Sequence, residues 1–464
     1  MLYVSTRGDA PALDFEGAML TGLARDGGLY LPESWPVLSQ AEIAAMAGLS
    51  YEETAFRVVR PYLADAVDDA TLRRLIEAAY RNFAHPARAP LVQIGPNEWV
   101  MELHRGGTLA FKDFAMKLLG QMFEETLTRR GERVTIVGAT SGDTGSAAME
   151  AFRGLDAVDV FILFPHGRVS EVQRRQMTTP SEANVHALAI EGSFDDCQAL
   201  VKAMFNDFGF RDRMRLAAVN SINWARVLAQ VVYYFSSAVA LGAPHRPVSF
   251  SVPTGNFGDI FAGWVAKQMG LPVERLVIAT NANDILHRTM ETGRYEVTGV
   301  VQTTSPSMDI QVSSNFERAL FEALGRDAGA VRGMMDGLKQ SGAFEIPAPA
   351  LDRLRGDFDS ARASEEDVAA TIARVFRECG YVIDPHTACG VHAAGTKRGD
   401  PSVPMIALGC AHAAKFPDAV EAATGVRPGL PPHLSDLYER DERMTVLANA
   451  LGVVENHIEQ AARI

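Results

Sequence analysis

Beyond about residue 90, short apolar runs alternate with longer runs of helical period, and this alternation constrains the fold more than any other feature. Apolar runs of four to eight residues are typical of strands that are buried on both faces of a sheet. The predicted strands are residues 134–137, 160–164, 185–190, 248–252, 276–279 and 403–408. Because helical runs lie between most of them, we predict an α/β fold with a largely parallel sheet.

The first ninety residues differ, because their apolar residues recur at helical spacing in three runs, 15–25, 51–62 and 69–83. Prolines in the segment 84–90 break helices and predict a boundary there. We therefore predict a mostly helical N-terminal domain over residues 1–90. Residues 300–365 mix helical runs with a proline break and predict no clear element. The tail is proline-broken and then helical.

Composition narrows the class of protein. The 464 residues are 47% hydrophobic and 22% charged, as in globular proteins with a large core. A net charge of -13 argues against nucleic-acid or anionic-membrane partners. The most apolar long run, 227–243, contains polar residues and predicts a buried helix rather than a membrane span.

The N-terminus has no apolar signal core, and the four cysteines have no C-x-x-C spacing, which predicts reduced thiols in a cytoplasm. His386 and His392 lie six residues apart with no suitably spaced carboxylate, so no metal site is predicted.

Lys112 lies on the wrong side of a predicted helix for a surface lysine. Apolar residues of the stretch 111–128 form one stripe, and Lys117 marks the polar stripe. At about 100° per residue, Lys112 is rotated roughly 140° from Lys117, towards the buried side. Such a lysine snorkels, is ion-paired, here with Asp113, or has a lowered pKa and serves as a catalytic amine. Taken alone, the stretch favours the first two interpretations.

Two glycine-rich turns, 138–145 and 253–259, each follow a predicted strand and precede a predicted helix. This geometry points free backbone N–H groups and a helix dipole at one place, which suits an anion. Glycine allows positive φ and close approach of a ligand. Neither turn has the Walker or G-x-G-x-x-G spacing, so nucleotide binding is not favoured. The alternative is an ordinary helix cap at each turn, from Ser141 or Asp143 and from Asn256 or Asp259. Two such turns beside a buried lysine favour two anions bound near an amine.

Two further segments are less specific. Residues 384–390 predict a helix that Asp384 caps, with Pro385 in the first position. Residues 411–417 follow a predicted strand, where active-site loops of α/β sheets usually lie.

Five segments, in order along the chain, resemble the threonine synthase family: 109–113, 138–145, 253–259, 384–388 and 412–417. The runs 3–8 and 27–32 are also similar to that family's opening, in the longer bacterial and fungal branch. The family belongs to the fold type II pyridoxal-phosphate (PLP) enzymes, the tryptophan synthase β-like group. The resemblance therefore implies two open, mostly parallel sheets flanked by helices, beside the helical N-terminal domain. The implied domains are 91–132 with 216–464, which bind PLP, and a smaller α/β domain, 133–215, inserted between them.

The resemblance also implies roles for individual residues. Lys112 is implied as the catalytic residue that holds PLP as a Schiff base. Residues implied to bind the cofactor are Gly255, Asn256, Phe257 and Gly258 at its phosphate, Asp259 behind them, Asp143 near the phenolic oxygen, and Cys410 at the pyridine nitrogen. The turn implied to face the substrate carboxylate and the ring comprises Thr140, Ser141, Gly142 and Thr144. Candidates for the substrate phosphate are Arg105, Ser141, Thr144, His412 and Lys415.

Three positions depart from the family pattern. Residues 104–108 lack the proline of the family's His-Gly-Pro-Thr, which is expected to loosen the loop before Lys112. Cys410 stands where the family has threonine or serine, and a thiol is the weaker hydrogen-bonding partner. Ala413 replaces a proline.

The implied reaction converts O-phospho-L-homoserine and water to L-threonine and phosphate, by γ-elimination and β-addition of water. The implied partner is this small-molecule substrate, and monomer and homodimer both stay open. One alternative is another fold type II lyase, such as a serine or threonine dehydratase; the N-terminal domain and residues 384–387 speak against it. Another is a non-catalytic metabolite-binding relative, which the intact Lys112 argues against. The third is a phosphate-binding α/β protein without PLP.

Overall fold

The computed structural model describes the whole chain, residues 1–464. Its strands β1 to β15 are Tyr3–Ser5, Tyr30–Pro32, Leu91–Gly95, Glu98–Glu102, Val134–Ala139, Val158–Pro165, Val185–Glu191, Leu216–Ala217, Val248–Pro253, Val273–Thr280, Arg294–Glu296, Ala343–Glu345, Phe358–Arg362, Met405–Gly409 and Thr445–Ala448. Its helices α1 to α19 are Phe15–Thr21, Gln40–Ala44, Tyr51–Leu63, Asp69–Tyr80, Lys112–Arg130, Asp143–Phe152, Glu171–Thr178, Phe194–Asn206, Phe208–Arg213, Trp224–Ala240, Gly258–Gln268, Ile285–Thr292, Phe316–Ala323, Ala328–Ser341, Ala348–Asp357, Glu365–Cys379, Pro385–Thr396, Pro417–Thr424 and Leu451–Ala461.

Two open sheets organise the chain. The larger has six strands in the order β13-β10-β9-β14-β4-β3, and only the β3–β4 pair is antiparallel. The smaller has five parallel strands in the order β15-β7-β6-β5-β8. All six predicted strands lie in these sheets. The predicted architecture of mostly parallel sheets flanked by helices is confirmed.

The C-terminal tail differs from the predicted boundary. Strand β15 pairs in parallel with β7, so that Thr445 lies opposite Leu188 in the smaller sheet. The following helix α19 buries Val454 and Ile458 against α8. The short strand β8 also belongs to this sheet. The resemblance implies the larger domain for this tail, and a four-residue strand with partly exposed side chains carries too little apolar signal to indicate the smaller sheet.

The N-terminal unit consists of α1 to α4 and the antiparallel pair β1–β2, in agreement with its predicted helical character. It is joined to the larger sheet's helices by a continuous apolar core. The ring of Trp224, at the start of α10, packs against Tyr3 and Tyr62 of this unit. Helix α10 is almost wholly buried, as predicted. No helix has both the length and the apolar character needed to cross a membrane.

The ends of parallel strands from both sheets meet near the start of α5. Strand β5 of the smaller sheet runs into the first glycine-rich turn, and β9 of the larger sheet runs into the second. Strand β14 ends immediately before Cys410. Ligands of open α/β sheets bind at such carboxyl ends. The fold therefore places both turns around Lys112, the first residue of α5.

Candidate active site

Lys112 is buried, as its helical position predicts, with only 8% of the residue exposed. Its Nζ lies 3.5 Å from Asp143 Oδ2 and 3.3 Å from Ser307 Oγ. Burial lowers the pKa of the Lys112 amine, while the Asp143 carboxylate opposes that change. The amine is therefore ion-paired with Asp143, and the pairing with Asp113 that the sequence allowed is wrong.

Asp113 instead fixes the loop before α5. Its carboxylate accepts hydrogen bonds from the N–H of Thr108 at 2.8 Å and from the Thr108 hydroxyl at 2.6 Å. Burial raises the pKa of Asp113 to about 6. A side chain at Gly106 would overlap the Asp113 side chain, so glycine is required there. These contacts tie down the loop in which the family's proline is missing.

The first glycine-rich turn is held by Thr140. Its Oγ1 accepts the N–H groups of Gly142 and Gly145, each at 2.9 Å. The residue before α6 is Gly142, with φ 149° and no side chain to cap the helix. The caps predicted from Ser141 or Asp143 are therefore wrong. Because two donors occupy the oxygen of Thr140, its own proton is free to be donated.

The second glycine-rich turn also lacks a side-chain cap. Phe257 precedes α11 in the left-handed region, with φ 63°, and no side chain bonds the first N–H groups of the helix. The predicted caps from Asn256 or Asp259 are wrong as well. Asp259 faces the core, where it accepts hydrogen bonds from Tyr233 at 2.5 Å and Tyr234 at 3.0 Å. Burial raises its pKa to about 7.

Glycine serves close packing in this second turn rather than positive φ. A Cβ at Gly255 would lie 3.0 Å from the carbonyl oxygen of Ser307, and one at Gly258 would lie 3.3 Å from Asn315 Nδ2. The left-handed residue of the turn is Phe257. The expectation of positive φ at these glycines is therefore wrong, and the neighbours that approach them closely are protein atoms.

One cavity of about 590 Å³ collects most of the predicted site residues. Those that line it are Lys112, Thr140, Ser141, Asp143, Thr144, Gly255, Asn256, Phe257, Gly258, Asp259 and Cys410. Burial raises the pKa of the Cys410 thiol well above its usual range, and its Sγ lies 3.7 Å from the Leu408 carbonyl oxygen. The two glycine-rich turns, the amine and the thiol therefore face a single space.

Four predicted residues are not part of that lining: Gly142, Arg105, His412 and Lys415. Arg105 donates to Glu102 at 2.8 Å. The ring of His412 packs edge-on against His104, with 5.3 Å between centroids, and burial lowers the pKa of His412 to about 4.

Lys415 lies behind Asp143 instead of in the cavity. Its fully buried Nζ lies 2.6 Å from Asp143 Oδ1 and donates to the Thr108 carbonyl oxygen at 2.8 Å. Burial alone raises the pKa of Asp143, but the ammonium groups of Lys415 and Lys112 overcome this and hold the pKa well below its usual range. Asp143 is thus a carboxylate held between two lysines.

Three cavity residues that could take part in the chemistry were not singled out from the sequence. Arg226 is 5% exposed, donates from Nη1 to the Val219 carbonyl oxygen at 2.9 Å, and leaves Nε without a partner. Burial lowers its pKa to about 10. Ser221 lies five residues before Arg226, and Ser307 lies in a short 3-10 helix, Pro306–Met308, before α13. A lone arginine at the start of an otherwise apolar helix was the available signal for Arg226.

Comparisons with known proteins show the family of this chain. Three family descriptions match in order: "Threonine synthase N terminus" over residues 2–80, "Pyridoxal-phosphate dependent enzyme" over 85–405, and "Threonine synthase, C-terminal" over 387–458. The chain is 57% identical to the threonine synthase of Pseudomonas aeruginosa, over 99% of this chain and 98% of that protein. The chain belongs to the threonine synthase family.

Solved structures extend the agreement to the fold. The crystal structure of PLP-bound threonine synthase from Brucella melitensis is 59% identical, has a TM-score of 0.99 and is covered over 100% of both chains. Yeast threonine synthase is 41% identical with a TM-score of 0.95, over 99% of this chain and 98% of that one. A tomato threonine deaminase, at 11% identity and a TM-score of 0.52, shares only the fold. The predictions of the family, of a fold type II PLP enzyme and of the cofactor are confirmed.

Proposed function

We propose that this chain converts O-phospho-L-homoserine and water to L-threonine and phosphate with PLP as cofactor. The observation that carries the proposal is a buried amine, Lys112, in one cavity with two glycine-rich helix starts, of which the start of α11 has no side-chain cap. Cofactor and substrate each bring a phosphate group, and the substrate also brings a carboxylate. Two anion-binding turns beside an amine suit that pair of ligands.

The residues of the cavity fit PLP. The free N–H groups at the start of α11 suit a phosphate, and a side chain at Gly255 would meet the carbonyl oxygen of Ser307. Lys112 supplies the amine that holds the cofactor aldehyde, and Cys410 supplies a thiol at the end of β14 for the ring nitrogen. Asp143 supplies a carboxylate beside the amine. When bound, PLP acts as an electron sink for the carbanion formed at the substrate Cα.

Lys112 acts as the base of the proposed reaction. The free amine of Lys112 would take the proton from the substrate Cα. A base must be unprotonated near neutral pH, and burial lowers the pKa of this amine in that direction. Asp143 lies 3.5 Å away and stabilises the ammonium that forms.

The two substrate anions are assigned to different residues of the cavity. The free hydroxyl proton of Thr140, with Ser141, suits the carboxylate. The guanidinium of Arg226, which lines the cavity, suits the phosphate, with Ser221 and Thr144 as further donors. Arg105, His412 and Lys415 make other contacts and do not line the cavity. We therefore propose Arg226 as the ligand of the substrate phosphate.

We also propose that the protein acts in the cytoplasm on this small molecule, without nucleic-acid or membrane partners. The four free cysteines and the net charge of -13 support this proposal.

The direct test is phosphate release from O-phospho-L-homoserine by the PLP-loaded protein, with L-threonine measured in parallel. Equal amounts of phosphate and threonine are expected, with little ammonia from serine or threonine. Deamination of serine or threonine without release of phosphate would assign the chain to the dehydratases instead.

A further inference from the structure

Ser307 bonds both charged side chains at the centre of the cavity. Its hydroxyl donates to Asp143 Oδ2 at 3.1 Å, and its Oγ lies 3.3 Å from Lys112 Nζ. Because the hydroxyl proton is directed at Asp143, only oxygen lone pairs face the amine. An ammonium donates three hydrogen bonds and accepts none. Ser307 Oγ therefore suits the protonated form of Lys112.

The backbone of Ser307 is fixed by a separate buried pair. Its N–H donates to His386 Nε2 at 3.2 Å, and His386 Nδ1 lies 2.7 Å from Asp384 Oδ2. The carboxylate holds the proton on Nδ1, which leaves Nε2 as an acceptor. Both side chains are at most 3% exposed. The position of Ser307 therefore does not depend on its contact with Lys112.

The rest of the segment is anchored at Asp309. Its Oδ1 accepts hydrogen bonds from Asn281 at 2.8 Å, Asn283 at 2.9 Å and Thr303 at 2.6 Å. Ser307 lies between this anchor and the His386 pair. A hydroxyl supported from both sides is held in place before the amine is protonated.

We propose that Ser307 is a positioning residue that holds the Lys112 ammonium while it carries the proton taken from the substrate. The lone pair of the Lys112 amine takes that proton, Ser307 Oγ accepts a hydrogen bond from the resulting N–H, and no bond to Ser307 forms or breaks. A further N–H then stays directed at the substrate. The inference rests on the proposed function for the base role of Lys112.

Other charged and titratable groups also act on the amine through their charge. They are Asp143 on α6, Arg226 on α10, Cys410 after β14 and Lys415 before α18. All of them are retained when Ser307 alone is changed. A difference between variants at this position therefore reports the hydroxyl.

The test measures how fast Lys112 reacts with acetic anhydride as a function of pH, by peptide mass spectrometry on the full-length chain freed of cofactor. Ser307→Ala removes the acceptor, so the midpoint for Lys112 labelling should move to lower pH. Ser307→Thr should restore the midpoint, and Ser307→Cys should lie between them because a thiol is a weak acceptor. In the PLP-loaded enzyme, Ser307→Ala should lower kcat about tenfold with KM unchanged.

Ser305→Ala is the matched control. It removes a hydroxyl from the same segment that bonds Asn281 at 2.9 Å and does not contact Lys112, so the labelling midpoint should stay that of the unaltered chain. An unchanged midpoint in Ser307→Ala, or the same shift in Ser305→Ala, overturns the proposal. If Ser307→Ala does not fold, equal midpoints in the Cys and Thr variants overturn it. Since labelling requires neither cofactor nor substrate, its outcome is independent of the phosphate-release assay.

Discussion

Replacing Lys415 with methionine should destabilise the fold, because the change leaves a buried carboxylate poorly paired. Lys415 Nζ lies 2.6 Å from Asp143 Oδ1, and the two side chains are 0% and 5% exposed. At an effective dielectric constant of about 20, their attraction is about 6 kcal/mol before desolvation is counted. Removing one partner of a buried pair costs about 3–5 kcal/mol. Lys112, at 3.5 Å, compensates only in part.

The loss should depend on pH. The folded-state pKa of Asp143 is held well below its usual range. The paired carboxylate therefore stabilises the fold above the unfolded pKa of about 3.9, and this contribution is lost as pH falls through the folded pKa. In Lys415→Met the pKa of Asp143 rises towards that of an unpaired buried acid. The difference from the unaltered chain should be largest near neutral pH and smaller in acid.

Denaturant unfolding, followed by tryptophan fluorescence at several pH values, measures this loss. Lys117→Met is the matched control, because Lys117 lies 2.7 Å from Glu150 in a pair whose side chains are 18% and 21% exposed. In Lys117→Met the Glu150 carboxylate keeps a second partner, Arg153 at 2.9 Å, so the loss should be smaller than in Lys415→Met. Equal midpoints for the two variants would refute the reasoning. Normal stability in Lys415→Met with a raised KM for the substrate would restore Lys415 as a phosphate ligand.

Three further variants test the proposed roles. Lys112→Ala should fold and still bind PLP but lose turnover, and borohydride reduction followed by mass spectrometry should find no cofactor linked to the chain; an active variant with a linked cofactor would move the anchor to another lysine. Arg226→Met should raise KM for O-phospho-L-homoserine about 10- to 100-fold, the loss of a charge-assisted hydrogen bond, whereas Arg105→Met should not; the reverse order would return the phosphate to Arg105. Cys410→Thr should bind PLP at least as tightly as the unaltered chain and shift the absorbance of the cofactor slightly. Cys410→Ala should lose about 1 kcal/mol or less of the free energy of PLP binding. Unchanged spectra and affinities in both variants would show that Cys410 does not contact the ring nitrogen.

Features set by local pattern could be predicted from the sequence. The buried strands are visible in the sequence as apolar runs. The apolar stripe of α5 was enough to predict that Lys112 is buried. The two glycine-rich turns were found because strand, turn and helix follow one another within a few residues. Each of these signals is contained in a short stretch of chain.

Features set by tertiary packing could not be predicted in this way. Ser307 lies in a three-residue 3-10 helix, which is too short to give a periodic signal in the sequence, and only its contacts with Lys112 and His386 reveal its place. The sequence offered Lys415 as a phosphate ligand, since nothing local shows that Asp143 occupies it. The predicted helix caps were wrong because capping depends on the direction of the side chain more than on the residue type.

The pairing of β15 with β7 has a consequence for synthesis of the protein. Strand β7 ends at Glu191, and its partner begins at Thr445, roughly 250 residues later. At about 5–20 residues per second, a ribosome needs roughly 10–50 s to make that stretch. Throughout this time β15 has not yet been made to pair with the edge of β7, and α19 has not yet been made to cover the apolar face of α8. The smaller sheet is therefore completed only after the last helix emerges, and a chain that loses its final twenty residues exposes an open sheet edge, the kind of surface through which proteins aggregate.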